Sequence, residues 1–150
     1  MQVHESMTER VIAIEANSTL RQAAKRMIRY GVGSIIAVRN GKPSGIVTHT
    51  DVVEAGAATD EPFSHLPLEK VMTHPVVTVR PTATVRNAIE VMEENEIKHL
   101  PVTADGNLHG IITSSDIVSC HDELRSEVEA LRETPPATAT EQESADAAQP

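Results

Sequence analysis

GIVTHTD (Gly45–Asp51) and GIITSSD (Gly110–Asp116) are one phrase written twice, 65 positions apart. Each copy runs glycine, two β-branched residues, threonine, two polar spacers, aspartate. Working outward at that offset, Met7–Val53 aligns without a gap on Met72–Val118. Met7-Thr8 falls on Met72-Thr73. Thr19, Arg21, Ala23 and Met27 fall on Thr84, Arg86, Ala88 and Met92. Gly41 falls on Gly106, and Asp51-Val52-Val53 on Asp116-Ile117-Val118. The chain is an internal duplication, and a repeat decides the architecture before any single element does.

Both copies carry the same local signals. VIAIE (Val11–Glu15) and VVTVR (Val76–Arg80) are short β-branched runs, expected as strands. NST before Leu20 and PTAT before Val85 supply hydroxyls that accept the free N–H groups of a first helical turn. Leu20, Ala23, Ala24 and Met27 form an apolar stripe at helical spacing, as do Val85, Ala88, Ile89 and Met92. SIIAV and HLPV read as buried strands. Asn40-Gly41 and Asp105-Gly106 tolerate the positive φ of tight hairpins. GIVT and GIIT are the return strands, and a second helix is expected after each, near Thr50 and Ser115.

The fold class is therefore α/β (α+β), built from two tandem β-α-β-β-α units of about 47 residues. One such unit is too small to bury a sufficient core alone. The expected limits are 7–56 for the first repeat, 57–71 for a linker and 72–120 for the second repeat. AGAATDEP (Ala55–Pro62) is expected as a flexible link. An apolar face through Ile117, Leu124, Val128 and Leu131 carries the last helix to about 131, and 133–150 reads as a disordered acidic tail.

Composition narrows the function. Aromatic residues are 1% of the 150, leaving only Tyr30 and Phe63 for stacking on bases. The net charge of −9 opposes a phosphate-backbone surface, so no nucleic acid partner is expected. Cys120 is the single cysteine, which excludes an internal disulfide. No apolar run has membrane-spanning length, and the expected location is cytoplasmic. None of the seven histidines stands in a metal-ligand spacing, and no nucleophile with a base beside it appears. No metal and no catalytic residue is assigned, and the chain is not read as an enzyme.

The paired units, each opening near "MT" and closing on glycine, two apolar residues, threonine, two spacers and aspartate, resemble a tandem pair of cystathionine β-synthase (CBS) domains, a Bateman module. The resemblance covers Met7 to about Cys120. It implies sheet-to-sheet packing with pseudo-two-fold symmetry and two clefts between the repeats. It also implies adenosine-type ligands, AMP, ADP, ATP or S-adenosylmethionine, held as regulatory ligands, with no obligatory cofactor. A homodimer and regulation of a partner protein, or of the chain's own oligomer, follow from the same resemblance.

The residues of the phrase suit that chemistry. A carboxylate at a helix start can accept both ribose hydroxyls, the role carried over to Asp51 and Asp116. Thr48 and Thr113 offer hydroxyls to ribose or phosphate, and helix N-termini attract anions. Val11, Ile12, Val76, Val77, Ile46 and Ile111 are the expected clamp on adenine. The phosphate side is assigned to Lys98 and His99 in one copy and to Ser34, beside Gly33, in the other. That imbalance predicts unequal affinities, with one strong site. Threonine and aspartate at a helix start are also ordinary capping residues. The alternative function is thus a constitutive dimerisation or scaffold module with vestigial clefts.

Overall fold

The computed structural model describes residues 1–120. The expected extension of the last helix to about 131 and the expected tail lie outside the described residues. The elements are α1 (Val3–Ser6), β1 (Ala13–Glu15), α2 (Leu20–Tyr30), β2 (Ser34–Arg39), β3 (Lys42–Thr48), α3 (His49–Ala58), α4 (Val85–Asn95), β4 (His99–Ala104) and β5 (Asn107–Thr113). Single 3-10 turns occupy Phe63–His65 and Leu68–Lys70, and a fifth helix, α5, starts at residue 114. One sheet has the order β1-β2-β3; the other is the hairpin β4-β5.

Local chemistry explains the boundaries. Thr19 caps α2 in a reciprocal box with Gln22, and Thr84 caps α4 by accepting the Asn87 N–H at 3.0 Å. Such caps contribute about 1 kcal/mol each. Both hairpins turn on the expected pairs, with φ of 54° and 77° at Asn40-Gly41 and 54° and 78° at Asp105-Gly106. Even the irregularities repeat: β2–β3 slips register between Ala37 and Val38, β4–β5 between Val102 and Thr103.

The second repeat departs from expectation at its first strand. VVTVR forms no strand; only Val79 bridges to β4, its N–H donating to Pro101 O and its carbonyl accepting from Thr103. In the first repeat, the Ile36 N–H donates to Ile12 O and the Ala16 N–H to Val38 O. Pro101 and Pro81 stand at the matching positions and have no N–H to give. Two prolines thus remove the rungs on either side of Val79. In the first repeat the strand itself is shorter than VIAIE, beginning at Ala13. The link AGAATDEP is also corrected, because Ala55–Ala58 complete α3.

Residues Met1–Ile117 form one compact unit containing both repeats. Its packing crosses over. Leu68 and Met72, which lead into the second repeat, are buried in the first repeat's core with Ile14, Leu20, Met27 and Ile35. Val3, at the start of the chain, is buried in the second repeat's core with Val79, Met92, Leu100 and Ile112. Thr8 bridges β5 and Thr73 bridges β3, each through a pair of backbone hydrogen bonds. A third cluster, Ile36, Ile46 and Ile111, joins the two sheets.

Candidate functional site

Each repeated phrase ends as a strand that turns directly into a helix, and its last two signature residues close the turn. At α3 the Thr48 N–H donates to Asp51 Oδ2 at 2.8 Å, and the Asp51 N–H donates to Thr48 Oγ1 at 3.4 Å. At α5 the equivalent distances are 2.9 Å and 3.1 Å for Thr113 and Asp116. The capping role therefore exists in both copies. It uses only part of each carboxylate. Asp51 Oδ1 has no hydrogen-bond partner among the described residues, whereas Asp116 Oδ1 accepts from Thr8 Oγ1 at 3.2 Å.

Two cavities open beside these turns. The larger, about 490 Å³, is lined by Thr48, His49, Asp51 and Glu54 from the first repeat and by Glu96, Lys98 and His99 from the second, over an apolar floor of Ile46 and Val77. The smaller, about 150 Å³, is lined by Thr113, Asp116 and Ile111 from the second repeat and by Thr8, Arg10, Val11, Ile12 and Ser34 from the first. Thus Lys98 and His99 share a cavity with Asp51, a pairing that the linear sequence leaves open. Val76 lines neither cavity; it packs on the isoleucine cluster between the sheets.

Lys98 lines the larger cavity and Ser34 the smaller, while Gly33 and His99 line both. Arg10 gives the smaller cavity its own cation and lies over the Tyr30 ring, 5.6 Å from its centroid. Sequence reasoning missed Arg10, whose repeat counterpart is Pro75, and it missed His49 and Thr73. The available signal was position: Arg10 and Thr73 sit on or beside the repeated "MT" lead-in, which crosses to the other repeat.

His99 belongs to both cavities. Its Nδ1 is buried and has no hydrogen-bond partner among the described residues. Burial pushes its pKa below the ordinary histidine value; His49 pushes the same way, Asp116 and Asp51 oppose, and Lys98 adds to the lowering. The neutral ring is therefore favoured in the native state, and its contribution to stability is fully present above the unfolded value of about 6.5. That contribution is lost as pH falls through 6.5 towards the lower native pKa. Urea unfolding at about pH 7.5 and 5.5 should show a smaller acid loss of stability in His99→Gln than in the wild type.

No group of three or more potential metal-ligating His, Cys, Asp or Glu side chains occurs among the described residues. No helix among them is long and apolar enough to cross a membrane.

Two repeats exchanging their lead-in segments around paired inter-repeat clefts define a tandem CBS pair. The CBS domain family model matches residues 2–58 and 68–122, and the chain belongs to that family. It is 29% identical over 115 residues to the CBS domain-containing protein YhcV of Bacillus subtilis, covering 77% of this chain and 81% of that one. Among solved structures, a putative acetoin utilization protein (AcuB) of Vibrio cholerae superposes with a TM-score of 0.76 at 30% identity, covering 86% of this chain and 97% of that one. The CBS domain pair of protein MJ0100, solved in complex with 5′-methylthioadenosine and S-adenosyl-L-methionine, superposes with a TM-score of 0.75 at 26% identity, covering 82% and 97%.

Proposed function

We propose that this CBS pair is a regulatory sensor, not an enzyme, which binds an adenosine-type ligand between its repeats. AMP, ADP, ATP and S-adenosylmethionine are the candidate ligands. The observation that carries this reading is the larger cleft. Its lining combines apolar Ile46 and Val77 for a flat base, a carboxylate oxygen of Asp51 with no hydrogen-bond partner among the described residues, and the cation of Lys98. The ligand-bound pair of MJ0100 supports it by similarity. Ligand would act on a partner protein, or on a homodimer in the cytoplasm, by favouring one arrangement of the two repeats. Val53, 70% exposed on α3, offers apolar surface for such a contact.

The test is thermal unfolding with each compound at about 1 mM. A ligand at about 100 times its Kd adds about 2.7 kcal/mol, which raises Tm by several degrees. Asp51→Asn, which retains a polar capping side chain, should remove most of that rise. No rise with any compound would favour a scaffold whose threonine–aspartate pairs serve only as helix caps.

A further inference from the structure

We propose that a phosphate bound in the larger cleft is matched by a proton taken up on His99, so that anion binding and protonation of this ring are linked. The inference rests on the adenosine-ligand reading above and adds a residue-specific regulation to it.

A phosphate monoester brings up to two negative charges at neutral pH. The larger cleft already contains Asp51, Glu54 and Glu96, and among the described residues Lys98 is its one side chain of permanent positive charge. Binding a dianion there is favoured by further positive charge, which a proton on His99 would supply. The Nδ1 of His99 is buried and has no hydrogen-bond partner among the described residues.

The surroundings act on the ring in both directions, with a net preference for the neutral form. On the side of α3 it faces His49 and Asp51; on the side of α5 it faces Asp116; Lys98 precedes it in the chain. Arg10 lies in the smaller cleft that the ring also walls, and Glu96 in the larger. The two carboxylates favour the charged ring, while burial and the neighbouring bases oppose it. An incoming phosphate adds negative charge beside the ring and so favours its charged form. Gly33 closes the remaining side: a Cβ there would stand 3.3 Å from His99 Cε1, so backbone packing limits how far the ring can retreat.

The experiment follows the Cε1–H resonance of His99 by NMR through a pH titration of the full chain. His99→Gln identifies the resonance. The probes are AMP and 5′-methylthioadenosine, which share adenine and ribose but differ in the phosphate. AMP should move the His99 midpoint to higher pH, and 5′-methylthioadenosine should leave it in place. AMP affinity should then rise as pH falls, by about tenfold for each pH unit that the midpoint moves. That gain should be absent from His99→Gln, although the AMP phosphate itself titrates near pH 6 in both proteins. AMP bound with the His99 midpoint unmoved, both probes moving it equally, or binding of 5′-methylthioadenosine alone overturns the proton link and leaves the sensor reading standing. Binding of neither probe, nor of ADP, ATP or S-adenosylmethionine, overturns both.

Discussion

Gly110→Ala should be among the most destabilising single-methyl additions to this protein, costing about 1–3 kcal/mol from overpacking alone. The reason is the lead-in segment of the opposite repeat. A Cβ at Gly110 would stand 2.7 Å from the carbonyl oxygen of Thr8 and 2.9 Å from Met7 Sδ. The Thr8 backbone cannot simply move aside. Its N–H donates to Ile111 O at 2.8 Å, and its carbonyl accepts from the Ile111 N–H at 2.9 Å. Opening the gap stretches both bonds, each contributing about 0.5–1.5 kcal/mol. Gly45 meets the equivalent segment, but the nearest atom there is Met72 Sδ at 2.6 Å, with Thr73 O at 3.0 Å. A methionine side chain can shift, so Gly45→Ala should cost less than Gly110→Ala. Gly56 is the control. Its Cβ would touch only the Phe63 ring, at 3.5 Å or more, and alanine suits the interior of α3 better than glycine. Urea midpoints should rank Gly56→Ala at or above wild type, then Gly45→Ala, then Gly110→Ala. Equal midpoints for all three would remove the steric account of the repeated glycine.

That account shows what the sequence made legible. The phrase GIVTHTD/GIITSSD and the 65-residue offset expose the duplication, the caps and the hairpins, because those features depend on residues close in the chain. The purpose of the glycine in the phrase is hidden, because the atom it avoids belongs to the other repeat. The missing strand at VVTVR was readable in principle: Pro81 and Pro101 are visible, but their effect depends on which N–H groups the parallel pairing uses. The partner of Lys98 and His99 was not readable at all. Either aspartate satisfies the motif, and only the packing of the two repeats brings Asp51 to that wall. Likewise, MQVHES and LPLEKV (1–6 and 66–71) share no identical residue in register, so their equivalence appears only as Val3 and Leu68 filling matching cores.

The second large effect follows from that equivalence. Deleting residues 1–7 should unfold or loosen the second repeat while the equivalent packing of the first remains. Val3 is fully buried among Val79, Ala88, Met92, Leu100 and Ile112, and Met7 packs on the same cluster. Burying a valine contributes about 1.5–3 kcal/mol. The segment also supplies backbone partners. Val3 N–H donates to Ala83 O at 2.8 Å, His4 N–H to Pro81 O at 3.0 Å, and Met1 O accepts the Val85 N–H at the start of α4. Removing them strips the first turn of α4 of one acceptor and opens its apolar face to water. The expected loss is at least about 3 kcal/mol, a large fraction of a small domain's stability. Hydrogen exchange should show the loss concentrated in α4, β4 and β5, with Leu20, Ile35 and Val47 still protected by Leu68. A peptide of residues 1–10 added in trans should restore protection to the second repeat. Uniform loss across both repeats would mean that the duplicated cores unfold as one. Unchanged protection would mean that the exchanged lead-in segment is dispensable, and the same packing argument would then fail for Leu68 in the first repeat.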